Sequence, residues 1–345
     1  MAKSKPKEKE AGLKTLEDTI DAINKRYGSG TVMMMGDQPK QNVAVVPTGS
    51  LSLDIALGIG GIPRGRMTEI IGSESAGKTT MGLHAIAEAQ KTGGKAAFID
   101  AEHSLDLDYA SHIGVDVDKL YLSQPSCGEE AMDILSNLID SRSLDIVIID
   151  SVAALVPRAE IEGEIGDSHV GLLARLMSQS MRMLTGPIAL SKTAVVFINQ
   201  LRMKIGVMYG SPETTPGGRA LKFYTSVRID VRPTAKLKKD SKVYGSRVRA
   251  KVIKNKLAPP YAECEFDLVH GMGIARMNEI VELGAGLGVI VKKGAWYSYE
   301  DKNIGQGVEA SAAFLTENPE TAMEVEVKIH EAIRQTKDHS TSFPD

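Results

Sequence analysis

Cysteine is nearly missing: Cys127 and Cys264 are the two in 345 residues and lie far apart. No disulfide framework is expected from such a pair, and both read as small apolar side chains. Long hydrophobic runs are missing too, so nothing spans a bilayer and no membrane partner is expected. The start, MAKSKPKEKE, is too charged for a signal peptide. It reads as a short disordered arm, and the expected location is the cytoplasm. A strong charge imbalance is absent as well. A formal net charge of -3 argues against a uniformly basic nucleic-acid binder.

What is present is an ordinary globular mixture, 42% hydrophobic and 25% charged. The length suits one large domain with one or two small ones. Charge is unevenly placed. Residues 228–256 hold 11 Lys or Arg against 2 Asp, whereas residues 257–345 hold 7 against 15 acidic residues. A polyanion would therefore be held locally; the alternative is a solvated, salt-bridged surface.

Three regions are expected. Residues 1–39 hold the arm and an amphipathic helix, Leu13 to Tyr27, with Leu13, Leu16, Ile20 and Ile23 on one face. This helix has no core of its own and must dock on the main domain or on a neighbouring subunit. In residues 40–275 short apolar runs alternate with helical stretches. Strands are expected at Met67 to Ile71, Ala96 to Ile99, Lys119 to Leu122, Ile146 to Ile149 and Ala194 to Ile198. Continuous β-branched runs suit strands buried on both faces, so the fold class is α/β with a mostly parallel sheet. Residues 276–345 form a smaller α/β unit with a final helix from about Pro319 to Arg334.

Gly72, Ser73, Glu74, Ser75, Ala76, Gly77, Lys78 and Thr79 fit G-x-x-x-x-G-K-[ST], and Thr80 follows. In that pattern the glycines let backbone N–H groups turn toward phosphate oxygens. Lys78 supplies a point charge, and Thr79 offers a hydroxyl to Mg²⁺. An apolar strand precedes the loop and a helix follows it, whose N-terminus favours an anion. ATP is the expected ligand. The run Ile146-Val-Ile-Ile-Asp150 ends in a carboxylate suited to the metal's water shell. Its strand is expected beside the phosphate loop. Glu102, in Asp100-Ala-Glu102-His103, could deprotonate the attacking water, with Asp100 as the rival candidate. His103 has no spaced His or Cys partners, so no further metal site is expected.

The strand Ala194 to Ile198 runs on to Gln200, at the sheet edge where a γ-phosphate would be felt. A long Gly-rich loop follows, Leu201 to Arg219, holding Arg202, Lys204, Ile205, Met208, Tyr209, Gly217, Gly218 and Arg219. Cations interleaved with apolar and aromatic groups suit single-stranded nucleic acid; a mobile lid is the alternative. A second loop, Glu160 to Gly171, precedes a helix with Arg175 and Arg182 on one face.

The segments TGSLSLDIALG, GSESAGKTT, FIDAEHSLD, VIIDSVAALVPRAEIEGEIGDS, FINQLRMKIGVMYGSPETTPGGRALKFY, KNKLAPP and GAWYSY span nearly the whole chain. With them the sequence resembles the bacterial RecA family of recombination ATPases. The resemblance implies a RecA-type ATPase core and a helical filament of many copies on single-stranded DNA. Homologous duplex DNA would be the second partner, and an SOS-type repressor a further one, for which no motif stands in the sequence. Lys78, Thr79 and Asp150 would hold phosphate and Mg²⁺, Glu102 would activate water, and Gln200 would sense the γ-phosphate. Asp106 and Tyr109 match positions against the adenine. Lys254 and Lys256 would reach a neighbour's ATP, and the two loops with Arg175 and Arg182 would hold DNA. The N-terminal helix would pack on the next subunit. Some positions depart from the family pattern: Ser29, Met34, Ser73, Ala76, Pro187, Arg219, His270 and a C-terminus without a strongly acidic tail. A ring-forming motor and a nucleotide-switched scaffold are the readings from other classes.

Overall fold

The structure, a computed structural model, describes residues 15–34, 43–164, 169, 171–203 and 212–340. Contacts divide the chain into two compact units, Met1–Val43 and Ala44–Asp345. The first holds helix α1 (Leu16–Tyr27). It starts later than expected because Thr15 and Asp18 form a reciprocal capping box. Leu13 lies outside the described residues. After Gly28 the chain folds back, and the Asn24 amide bonds Val32 at both N–H and C=O, 3.0 and 3.1 Å.

The second unit opens with strand β1 (Val45–Val46), helix α2 (Leu51–Leu57) and strand β2 (Ile62–Pro63). Then come β3 (Met67–Gly72), α3 (Lys78–Lys91), β4 (Ala96–Asp100), α4 (Leu107–Ile113), β5 (Leu120–Ser123) and α5 (Gly128–Asp140). Next are β6 (Ile146–Asp150), α6 (Arg158–Ile161), α7 (Leu172–Ser191), β7 (Ala194–Gln200), β8 (Arg202–Met203), β9 (Glu213–Thr214) and α8 (Ala220–Tyr224). Strands β10 (Val227–Lys239), β11 (Lys242–Asn255), β12 (Glu263–Val269) and β13 (Gly273–Ile274) complete the large sheet. The smaller C-terminal part holds α9 (Arg276–Gly286), β14 (Val291–Lys293), β15 (Trp296–Tyr299), β16 (Lys302–Gln306), α10 (Gly307–Glu317) and α11 (Pro319–Ser340).

The large sheet has nine strands in the order β13-β12-β11-β10-β3-β7-β6-β4-β5. The six from β10 to β5 are mutually parallel, and β11 to β13 continue antiparallel. Both faces are covered, as a parallel sheet requires. Ile70, Ile148, Ile198 and Ile229 pack with Ile86 of α3 on one side. Ile149, Phe197, Leu135 of α5 and Met181 of α7 pack on the other. One expectation is corrected: β6 is not next to β3, because β7 lies between them. Helix α3 makes up the distance. A Cβ at Gly82 would stand 3.3 Å from both Ile148 and Ile198, so α3 lies close over β6 and β7. Within the basic stretch 228–256, β11 is partly salt-bridged, with Arg247 paired to Asp267 and Glu282 and Lys251 to Glu263. Pro187 does not stop α7, which continues to Ser191. It removes one donor, that to the carbonyl of Met183, on a turn whose Met183 side chain is exposed and solvated.

The C-terminal part is seated on residues 48–58. Leu51 of α2 joins the C-terminal core with Ile280, Tyr297 and Val325. Glu279 accepts from the hydroxyls of Ser50 and Ser52 and from the N–H of Leu51. Arg276 donates to the Gly49 carbonyl and pairs with Glu326 at 2.5 Å. Beneath this seat Asp54 is buried and accepts from the Thr48 N–H at 2.9 Å. Burial outweighs that bond and pushes its carboxyl up to about 7. The folded chain thus holds a proton that the unfolded chain releases. That contribution is complete below the ordinary value of 3.8 and is lost as pH rises through 7. Asp54→Asn keeps the acceptor and removes the charge. It is expected to raise the melting temperature at pH 8, by roughly 2–4 °C per kcal/mol relieved, with the gain shrinking toward pH 4. Melting curves across that range check it; a loss at pH 8 would contradict it.

Candidate nucleotide-binding site

Glu74, Ser75, Ala76, Gly77, Lys78, Thr79 and Thr80 line a cavity of about 260 Å³ with Glu102, Asp150 and Gln200. Four separate segments therefore meet where β3, β4, β6 and β7 end, the usual crevice of such a sheet. A larger cavity, about 390 Å³ between α5 and α7, also holds carboxylates, hydroxyls and Arg175, but neither a lysine nor a glycine-rich phosphate loop lines it. Gly77 is the N-cap of α3 at φ +86°, and a Cβ there would meet Leu268 at 2.1 Å. The positive φ is what calls for glycine, since the Leu268 methyl is the end of a side chain that can shift. It caps α3 with no side chain, so the helix's first N–H groups stay available to an anion. Gly72 is buried and Ser73 does not line the cavity, but the Ser73 carbonyl accepts from Lys78 Nζ at 2.6 Å.

Burial pulls the Lys78 ammonium below its ordinary range, while Asp150, Glu102 and Glu74 pull it back up. Asp150 is also buried, and its carboxyl is pushed up to about 6 by burial and by the charge of Glu102. The Thr79 hydroxyl donates to it. Glu102 is exposed to the cavity, and its Oε1 accepts from the Ser151 hydroxyl and from Gln200 Nε2 at 3.1 Å. Asp100 lies two residues earlier yet is 1% exposed and does not line the cavity. Its carboxylate accepts from Leu105 N–H and Gln124 Nε2, both at 3.1 Å. It holds the turn that carries Glu102. Sequence reasoning missed Ser151; its only signal is its place after the strand-ending Asp150.

Asp106 and Tyr109 do not line the cavity. Asp106 caps α4, accepting from Tyr109 N–H at 3.0 Å, and the Tyr109 hydroxyl meets Thr80 Oγ1 at 3.0 Å. The pair therefore stands against the start of α3. Lys254 and Lys256 are also elsewhere. They donate to the carbonyls of Lys222 and Phe223 at the end of α8, and Lys256 lines another cavity of about 290 Å³ with Arg66 and Phe223. His270 is exposed after β12.

Of the loop residues, Lys204, Ile205, Met208 and Tyr209 lie outside the described residues. Arg202 is exposed on β8, which pairs with β9. Arg175, Arg182 and Arg219 are exposed as well. Gly217 and Gly218, at φ +79° and +75°, lie against α7. A Cβ on Gly218 would come within 2.8 Å of Ala174 Cβ. Gly218→Ala is accordingly expected to destabilise the fold by roughly 1–3 kcal/mol. A denaturant midpoint equal to that of the wild type would contradict this.

Oxygen donors from Thr79 and Asp150 at one edge of the cavity suit Mg²⁺, which keeps several waters and takes few protein ligands beside substrate phosphates. Among the described residues no three His, Cys, Asp or Glu side chains form a metal-holding group. No helix among them is long and apolar enough to cross a membrane.

Residues 14–275 match the RecA N-terminal domain and residues 278–334 the RecA C-terminal domain. Protein RecA of Caldanaerobacter subterraneus subsp. tengcongensis is 57% identical over 332 residues, covering 96% of this chain and 97% of that protein. Protein RecA of Saccharopolyspora erythraea is 58% identical over 320 residues, 93% and 92% of the two chains. Protein RecA of Clostridium novyi is 57% identical over 319 residues, 92% and 91%. The chain belongs to the RecA family.

Proposed function

We propose that the protein is an ATP-hydrolysing recombinase of DNA repair. It forms filaments on single-stranded DNA, pairs the bound strand with homologous duplex and exchanges strands. Its parts are an N-terminal arm (1–39), an ATPase and DNA-binding core (40–275) and a C-terminal unit (276–345). The observation that carries the proposal is the bond between Gln200 Nε2 and Glu102 Oε1, 3.1 Å. Gln200 ends the strand from which the 201–219 loop departs, so the nucleotide site and the start of that loop share one contact.

In this scheme the loop N–H groups and Lys78 bind the β and γ phosphates. Thr79 and Asp150 would hold Mg²⁺, which when bound would neutralise charge building on the phosphate oxygens. Glu102 takes the proton of the attacking water. Gln200 leaves Glu102 for the γ-phosphate and thereby shifts the start of the loop at Leu201. Asp106 and Tyr109 bound the adenine side, next to Thr80. Lys254 and Lys256 serve a neighbouring subunit's nucleotide; their place away from their own chain's cavity supports this. The exposed Phe223 beside them supports contact between copies. Arg175, Arg182, Arg202 and Arg219 with the two loops hold DNA. A labelled oligonucleotide is expected to bind tightly with a non-hydrolysable ATP analogue and weakly with ADP, at fixed salt. Electron microscopy of the bound state should show filaments; closed rings would favour the motor.

A further inference from the structure

A glutamate in the middle of a central strand needs a reason. Glu69 of β3 is fully buried, the third of six residues in a strand otherwise made of Met, Thr, Ile and Gly. Both its oxygens are used. Oε2 receives Arg228 Nε of β10 at 2.5 Å, in a pair exposed by 12% and 0%. Oε1 receives the Asn199 amide of β7 at 3.0 Å. Breaking such a buried pair is costly, so the position of the carboxylate is well determined.

Asn199 is equally committed. It is fully buried, and its amide nitrogen donates to Glu69 and also to the Pro216 carbonyl at 3.2 Å. Its amide oxygen accepts from the Gln200 N–H at 2.9 Å. One side chain therefore touches the start of Gln200 and the closing stem of the loop that left the sheet at residue 201. The stem is further fixed by Gly217, packed on Val152 and Met177, and by Glu213, paired with Arg232 of β10. A buried amide with donors and acceptor all engaged cannot change one contact without disturbing the others.

We infer that Glu69, acting through Asn199, is the positioning residue that couples the loop stem at Pro216 to Gln200, and so DNA binding to hydrolysis. Glu69 touches neither nucleotide nor DNA. Arg228 anchors it, and Asn199 transmits its position to both Gln200 and Pro216. The inference rests on the proposal that this loop holds DNA.

The test is an exchange of groups. Asn199→Asp alone sets two carboxylates together and removes the donor to Pro216; it is a variant that can fail to fold. The double variant Glu69→Gln with Asn199→Asp restores an amide–carboxylate bond and preserves the net charge beside Arg228. It still offers Pro216 no donor. Steady-state ATP hydrolysis is measured for wild type and double variant, with and without single-stranded DNA, after far-ultraviolet dichroism confirms folding. The double variant is expected to hydrolyse ATP without DNA within about twofold of wild type and with the same KM for ATP. Its kcat with saturating DNA is expected to fall about tenfold or more, toward the DNA-free value, a coupling loss of ordinary allosteric size. Normal DNA stimulation of the double variant would overturn the inference. So would a rise in KM or a loss of DNA-free hydrolysis equal to the loss with DNA, since a general structural role would produce either. If wild type itself is indifferent to DNA, the functional proposal fails first, and that outcome is distinguishable from the others.

Discussion

Lys78→Ala is expected to reduce ATP hydrolysis by at least about 10²–10³-fold, the size seen when one preorganised charge-stabilising group is removed. The lysine is held inside the cavity, with Nζ 2.6 Å from the Ser73 carbonyl. Asp150, Glu102 and Glu74 act on it electrostatically. Alanine would leave these carboxylates facing the phosphates without the ammonium between them, so binding as well as turnover should suffer. Nucleotide-dependent DNA binding should vanish with it. Lys78→Arg keeps the charge but not the compact ammonium, and only partial recovery is expected. Undiminished hydrolysis by the alanine variant would remove the phosphate-loop assignment.

The second large effect is expected at Glu102. Replacement by alanine should leave ATP binding near normal and lower turnover by about 10²–10⁴-fold, the range of a lost general base. ATP-dependent DNA complexes of this variant should therefore outlast those of the wild type. The geometry separates Glu102 from its rival. Asp100 has its carboxylate occupied by Leu105 N–H and the Gln124 amide, and it is closed off from the cavity. Its loss should loosen the turn that carries Glu102. Equilibrium nucleotide binding with single-turnover hydrolysis distinguishes the two. Normal turnover in Glu102→Ala would return the base to Asp100.

Much of this was legible before any coordinates. Strands β3, β4, β6 and β7 announce themselves as short β-branched runs because both faces of a parallel strand are buried. Their ends fell within two residues of expectation. The phosphate loop, Asp150, Glu102 and Gln200 were legible because each follows such a run directly, and strand ends share one sheet edge. What escaped is set by contacts distant in sequence. Nothing local says that β7 lies between β3 and β6, or that β11 to β13 extend the same sheet. The choice between Glu102 and Asp100 turns on which carboxylate is buried at the strand's end, Asp100 closing β4 and Glu102 lying beyond it, which apolar patterning does not carry. The seat at Ser50, Leu51 and Ser52 needs a glutamate more than two hundred residues later. Glu69 did leave a trace, a charged residue inside an apolar strand, whose meaning depends on Arg228 and Asn199.

Steady-state ATP hydrolysis with and without single-stranded DNA, at fixed moderate salt, tests the central claim most directly. Strong stimulation by single strands and little by duplex is the expected result. Robust hydrolysis indifferent to DNA would contradict it, because the 201–219 loop would then have no hold on Gln200 and the site it faces.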